Sequence, residues 1–256
     1  HKTQMILNPA QQAEILRRYK PKNEKDVELP PFCVTSEKVQ RFMETQKKIS
    51  VLAGGNRSGK SYQNIRKAVE FAVNRPGSLI WLLTVNYKMV GSVLAPLVFK
   101  HLPADFIKEI AWSNYRLRIP DLIRMHNGTE LIFKSYDSKF ESLQGAAVDL
   151  VVMDEEPVDK NVFIECLART LDKGGKMSLS FTPLHGMSCW TYQDLYLASQ
   201  KPDSDIDFFT ISLFDNPHIP QEEKDRVLQL YGKDEIDRRV YGLFTQLSGV
   251  VFSELR

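Results

Sequence analysis

The 256-residue chain is long enough to bury a sizeable apolar core as one large domain or two small ones, so neither disulfides nor a structural metal are required. Three isolated cysteines (Cys33, Cys166, Cys189) without C-x-x-C spacing argue for a reducing compartment and against a zinc site, and five histidines show no H-E-x-x-H pattern. A net charge of +2 neither demands nor excludes nucleic acid; no apolar run is long enough to span a membrane and no signal peptide opens the chain.

Asn8-Pro9 reads as an N-cap followed by Pro in the first turn of a helix that runs to about Arg18, and Pro21 with Lys22–Asp26 breaks it. Glu28–Phe32 reads as a linker, and a second amphipathic helix is expected from Thr35-Ser36 to Gln46, with Val39, Phe42 and Met43 on one face. Ile49–Ala53 is a short apolar strand and Tyr62–Val73 an amphipathic helix. Ser78–Thr84 reads as a strand buried on both faces. Tyr87–Lys100 reads as a helix interrupted at Pro96. The extended run from Leu117 to Met125, Asn127-Gly128 and Leu131–Phe133 predict an antiparallel insertion or edge hairpin, because Asn-Gly suits a tight turn with positive φ. Strands are then expected at Asp149–Glu155, Met177–Phe181 and Ile206–Leu213, with one more starting at Gly249–Phe252. Helices are expected at Val162–Leu171, Cys189–Gln200, Gln221–Tyr231 and Asp234–Val240. The alternation is that of an α/β protein with a mainly parallel central sheet flanked by helices. The basic clusters Arg17-Arg18-Tyr19-Lys20, Lys47-Lys48, Arg116 with Arg118, and Arg238-Arg239 read as solvated faces.

Between the first of these strands and its helix stands Gly54-Gly55-Asn56-Arg57-Ser58-Gly59-Lys60-Ser61, which fits G-x-x-x-x-G-K-[ST]. Glycines let the backbone curl close to an anion, and the loop N–H groups and the positive end of the following helix then face the phosphates. In this pattern Lys60 reaches the β- and γ-phosphates and the Ser61 hydroxyl ligates Mg²⁺.

Val151-Val152-Met153-Asp154-Glu155 has the form of a Walker B strand. Asp154, at the carboxyl end of a buried strand, would hold Mg²⁺ through water, and Glu155 is placed to polarise an attacking water. Thr182 closes the next strand in Ser180-Phe181-Thr182-Pro183; ligands gather at the carboxyl ends of parallel strands, so a threonine there can sense the γ-phosphate or the water.

Taken together these pieces resemble the ATPase domain of the large terminase subunit, the motor that packages DNA into tailed-phage capsids. The resemblance rests on Gln40 in VQRFM, Ala53–Ser61, Gln144–Glu155, FTPLHGMSCW, DNPHIP and Arg238-Arg239-Val240-Tyr241-Gly242, and spans about Val34 to Phe252. It implies a P-loop NTPase fold of the ASCE, RecA-like class, with residues 1–48 as an N-terminal helical lid segment and 49–256 as the ATPase core. It implies ATP and Mg²⁺ as cofactors. It implies double-stranded DNA, the portal protein and the small terminase subunit as partners, and a homo-oligomeric ring, a pentamer, on the procapsid in the host cytoplasm with no membrane. Gln40 would read the adenine edge and Thr182 falls in the family's coupling motif. Arg57 corresponds to the loop arginine assigned to the γ-phosphate or the glutamate, one position later than in G-G-R-x-S-G-K-S. Relatives often carry Arg where Gln144 stands, so the arginine finger falls to Lys139 as a point-charge substitute or to Arg57 in cis, with Arg116, Arg118, Arg124 and Arg169 more distant choices. Large terminases continue into an RNase H-like nuclease; with the chain stopping at Glu254-Leu255-Arg256, an isolated or truncated ATPase domain without nuclease activity is expected. Two other readings are a different nucleic-acid translocase or helicase-like ATPase, and a nucleotide-dependent binding switch with little turnover.

Overall fold

The computed structural model describes residues 5–6, 29, 35–137 and 145–246. Its strands are β1 (Met5–Ile6), β2 (Ile49–Gly54), β3 (Leu79–Thr84), β4 (Ile107–Asn114), β5 (Ile119–Met125), β6 (Glu130–Ser135), β7 (Leu150–Asp154), β8 (Lys176–Phe181) and β9 (Ile206–Ile211). The longer helices are α1 (Glu37–Glu44), α2 (Lys60–Asn74), α3 (Ala95–His101), α4 (Lys160–Arg169), α5 (Gln221–Leu230) and α6 (Lys233–Arg239). The fold class is the expected α/β. The chain divides into two compact units: Ser61–Leu179 with the described residues before Val34, and Val34–Lys60 with those from Ser180 onward.

In the first unit β3 pairs in parallel with β6 on one side and with β7 on the other. The five residues of β7 and all but the first of β3 are buried, which is why both read as unbroken apolar runs rather than alternating ones. On α2, Ile65, Ala68, Val69 and Ala72 follow the helical period and pack with Ile80, Leu82 and Val152 in one core. The Asn127-Gly128 turn forms as expected: the Thr129 carbonyl accepts from Met125 N at 2.9 Å, and Asn127 Nδ2 ties the turn to the Ala72 carbonyl at 2.9 Å.

Of the two expectations, the edge hairpin does not form and the antiparallel insertion does. Its second strand, β6, is a parallel neighbour of β3, and its first, β5, continues antiparallel to β4 and then β1. The strand β4 is absent from the expectation because register shifts at Ile107/Glu109, Ala111/Trp112 and Trp112/Asn114 spoil the period-two pattern that marks a strand. The expected interruption at Pro96 also differs. The chain stays helical from Tyr87–Met89 through a π-helical Val90–Leu94 into α3, where Pro96 occupies the first turn and needs no N–H.

In the second unit β2 pairs with β9 in parallel along its whole length, Ile49 opposite Ile206 through Gly54 opposite Ile211. The helix expected up to Gln46 ends at Glu44, and the Thr45 hydroxyl that follows bonds the Asp207 carboxylate. Val39 and Phe42 of α1 pack on Leu52 and Ile211. The strand expected to reach Leu213 stops at Ile211, because Ser212 and Asp215 form a capping box that turns Leu213–Asp215 into a 3-10 turn. Phe181, Tyr192, Tyr196, Phe208 and Phe244 form an aromatic cluster in this unit. The expected helix at Asn8–Arg18 and strand at Gly249–Phe252 lie outside the described residues.

One buried group of the first unit ties stability to pH. His101, 1% exposed, lies against Tyr62 of α2 with ring centroids 4.3 Å apart. Burial, reinforced by the Arg66 and Lys100 charges, lowers its pKa from 6.5 to about 4. The unfolded chain therefore binds more protons than the folded one between these values, and stability falls as pH drops through that window. We expect a loss on the order of 2–3 kcal/mol by pH 4, read by urea unfolding across pH, and a flatter profile in His101→Gln.

Candidate nucleotide-binding and hydrolysis site

The phosphate loop leaves the buried strand β2 in the second unit and is shaped from outside. Gly55 N continues the β2–β9 ladder by donating to Ile211 O at 3.2 Å, and Asn56 N donates to Arg239 O at 2.6 Å. A Cβ on Gly55 would sit 2.1 Å from the Val240 carbonyl oxygen, and one on Gly242 (φ 68°) would sit 2.5 Å from Gly54 Cα. Only glycine fits at either place, so Arg239–Gly242, from the last residue of α6 onward, presses directly against the loop. Beyond these contacts Arg57 is exposed, and Ser58 N donates back to Gly55 O at 3.3 Å. Arg57 has φ 61°, a left-handed conformation that costs a residue with a Cβ about 1–2 kcal/mol.

Lys60 opens α2 and is only 6% exposed. Among the described residues no carboxylate or carbonyl bonds its ammonium. The Ser58 hydroxyl, fully buried, also lacks a hydrogen-bond partner among them. A buried cation with no protein counter-charge, beside the first-turn N–H groups of a helix, favours an anion.

Three segments singled out in the sequence meet this loop. The Thr182 hydroxyl, 2% exposed at the end of β8, donates to Asn56 Oδ1 at 3.3 Å. Asn216, of the Asp-Asn-Pro triplet, donates from Nδ2 to Arg57 O at 2.7 Å. The Arg238–Gly242 stretch supplies the carbonyls described above, and Arg238 Nη1 also bonds Leu184 O at 3.0 Å, just past Thr182-Pro183.

In the first unit β7 ends in the carboxylates. Asp154 is fully buried, and Glu155 follows at φ 73°, again left-handed. Strain of roughly 1–3 kcal/mol at such a residue persists only where neighbours over-determine it. The neighbour here is Tyr136, whose hydroxyl donates to Asp154 O at 3.0 Å and to Glu155 O at 2.8 Å. Burial, and then the charges of Asp154, Cys166 and Glu155, raises the Tyr136 pKa well above 10, so the phenol keeps its proton and remains a donor. Asn64, one turn beyond Lys60, receives the Ser178 hydroxyl at 2.6 Å and points Nδ2 at Met153 O (3.4 Å) and Ser178 O (3.5 Å), fixing α2 to β7 and β8. Neither Tyr136 nor Asn64 was among the sequence-based candidates. The available signal was positional: a hydroxyl-bearing aromatic just past β6, and a polar residue on the otherwise apolar face of α2.

Ser61 lies half-buried in the first turn of α2. Its hydroxyl and the Asp154 carboxylate, both in the first unit, are hard oxygen donors on rigid elements, the ligand type Mg²⁺ takes alongside water and phosphate oxygens. Gln40 is exposed on α1 and its amide bonds Glu44 at 3.0 Å. Arg124 is engaged by Glu130 and Glu109 at 2.8 and 2.9 Å, and Arg169 by Glu165 at 3.0 Å. Lys139 and Gln144 lie outside the described residues.

Comparison with known proteins agrees with this architecture. The large subunit of the terminase of Salmonella phage P22 is 31% identical over 120 residues, which is 47% of this chain and 23% of that protein. The large terminase of a thermophilic bacteriophage shares the fold at a TM-score of 0.72 and 14% identity, covering 88% of this chain and 57% of that one. The ATPase domain of the Thermus phage P74-26 large terminase does so at 0.63 and 21%, covering 84% and 94%. The thermophilic bacteriophage's terminase is also known in complex with ATP-γ-S, and in that form matches at a TM-score of 0.67 and 16% identity. The chain thus spans 23% of the Salmonella phage relative and 57% of the thermophilic phage one. Residues 51–256 match the family described as "Terminase large subunit, T4likevirus-type, N-terminal", and the chain belongs to that family.

Proposed function

We propose that this chain is the Mg²⁺-dependent, ATP-hydrolysing motor domain of a viral large terminase, and that it drives double-stranded DNA into a procapsid. The observation that carries the ATP reading is Lys60: a buried ammonium without a protein counter-charge among the described residues, at the end of a glycine loop and the start of a helix. Complexes of the thermophilic bacteriophage's terminase with ADP and ATP-γ-S support the same reading.

In this reading Gly54, Gly55, Asn56, Ser58 and Gly59 shape the cradle, and Lys60 takes the β- and γ-phosphates. Ser61 and Asp154 would hold Mg²⁺, which neutralises phosphate charge and orients the leaving group. Glu155 accepts a hydrogen bond from the attacking water and aligns it with the γ-phosphorus. Phosphoryl transfer passes through a loose transition state, so fixing that carboxylate matters more than its basicity. Tyr136 does so by holding both carbonyls of the Asp154-Glu155 turn. Thr182, bonded to Asn56, relays the state of the loop to β8. Arg57 in cis, or Lys139, supplies the further positive charge. For Gln40 to read adenine, its amide must exchange Glu44 for the base. The partners that follow are DNA, the portal protein, the small terminase subunit and a ring of copies of this chain.

Glu155→Ala should cut ATP turnover on the order of 10²–10⁴-fold while fluorescent-nucleotide binding persists; normal hydrolysis in that variant removes Glu155 from its role. Nucleotide binding by the unaltered chain without any turnover would favour the binding-switch alternative. DNA that never alters turnover or binding in the assembled protein would take away the packaging reading. Tyr136→Phe keeps the ring and loses two bonds, so it should cost about 1–2 kcal/mol in urea unfolding and lower kcat more than it raises KM for ATP.

A further inference from the structure

Arg57 holds a left-handed backbone at φ 61°, while its side chain is exposed and makes no ion pair among the described residues. One bond to its carbonyl is present among them, the 2.7 Å donation from Asn216 Nδ2 to Arg57 O. Asn216 is well placed to impose a conformation. Its Oδ1 accepts from His218 N at 3.0 Å, which settles which end of the amide faces the loop. Asp215 before it takes Ser212 N and Oγ on one carboxylate oxygen at 2.6 and 2.9 Å. Lys224 of α5, 6% exposed, braces the same turn through Phe214 O at 3.3 Å. The preceding loop residue, Asn56, is held by different groups, Thr182 and Arg239.

We propose that Asn216 is a positioning residue: its amide holds the Arg57 peptide left-handed and so aims the Arg57 guanidinium at the phosphates of a bound nucleotide. The inference rests on the ATP reading of Gly54–Ser61. Released from the bond, Arg57 relaxes to a negative φ, the peptide between Arg57 and Ser58 rotates, and the guanidinium turns away from the anion. Asparagine suits the task because one short side chain offers a donor to the loop and an acceptor to its own turn. Aspartate would keep the second and lose the first.

The test is a double-mutant cycle on the full chain, with Asn216→Ala, Arg57→Gly and the pair, read by fluorescent ATP-analogue affinity, steady-state kcat and KM for ATP, and thermal midpoint. Asn216→Ala should lower kcat/KM for ATP by about two- to tenfold, and Asn216→Asp should follow it. In Arg57→Gly the left-handed conformation is free and the guanidinium is gone, so adding Asn216→Ala should change kcat/KM by less than about twofold. Independent effects that multiply in the pair, or an unchanged kcat/KM in Asn216→Ala and Asn216→Asp while the unaltered chain binds nucleotide, overturn the assignment alone. An unaltered chain that binds no nucleotide overturns it together with the ATP reading.

Discussion

The Val240 carbonyl stands where a side chain on Gly55 would have to go. That exclusion, with the Asn56–Arg239 bond beside it, gives the phosphate loop a wall to fold against. A loop of this composition is permissive by itself, since two adjacent glycines accept many conformations. The wall removes most of them. It commits the N–H groups of Gly55 and Asn56 to protein carbonyls, and Ser58 N closes the turn that follows on Gly55 O at 3.3 Å. The left-handed Arg57 is the exposed corner of that turn.

The carboxylate turn is built on the same logic with different parts. Glu155, like Arg57, is a non-glycine residue at positive φ, and each has its carbonyl taken by a side chain from a distant segment: Tyr136 for one, Asn216 for the other. A protonated phenol and a neutral amide each hold a carbonyl without adding a charge to the turn. Both turns hold strained backbones through neutral donors.

Much of the frame was legible because it depends on local pattern. The uniformly apolar β3 and β7, the α2 stripe of Ile65, Ala68, Val69 and Ala72, and the Asn127-Gly128 turn each carry their geometry within a few residues. The Gly54–Ser61 loop from the end of β2 into α2, and the Asp154-Glu155 end of β7, were legible as positions in the fold for the same reason. What escaped was set by pairing over long sequence distance. Bulges in β4 hide its alternation, and the parallel partnership of β6 with β3 cannot be read from a hairpin whose turn looks like an edge. Tyr136 and Asn64 escaped because nothing in their immediate neighbourhood says which carbonyls they will meet. Thr182, Asp215-Asn216-Pro217 and Arg238–Gly242 were picked out as segments, yet only the fold shows that they share one target.

The aromatic cluster and the stretch at Gly242 have a mechanical consequence. After Gly242 the chain is gripped by Phe244, whose ring lies among Tyr192, Tyr196 and Phe208, and by Met187 N bonded to Thr245 O. A pull on the chain beyond Gln246 therefore loads the aromatic cluster first and the Arg239–Gly242 wall second. That wall touches Gly54, Gly55 and Asn56 without intervening residues. The four residues from Arg239, the last of α6, to Gly242 lead to the aromatic anchor at Phe244 and are the same ones that shape the Gly54–Asn56 backbone.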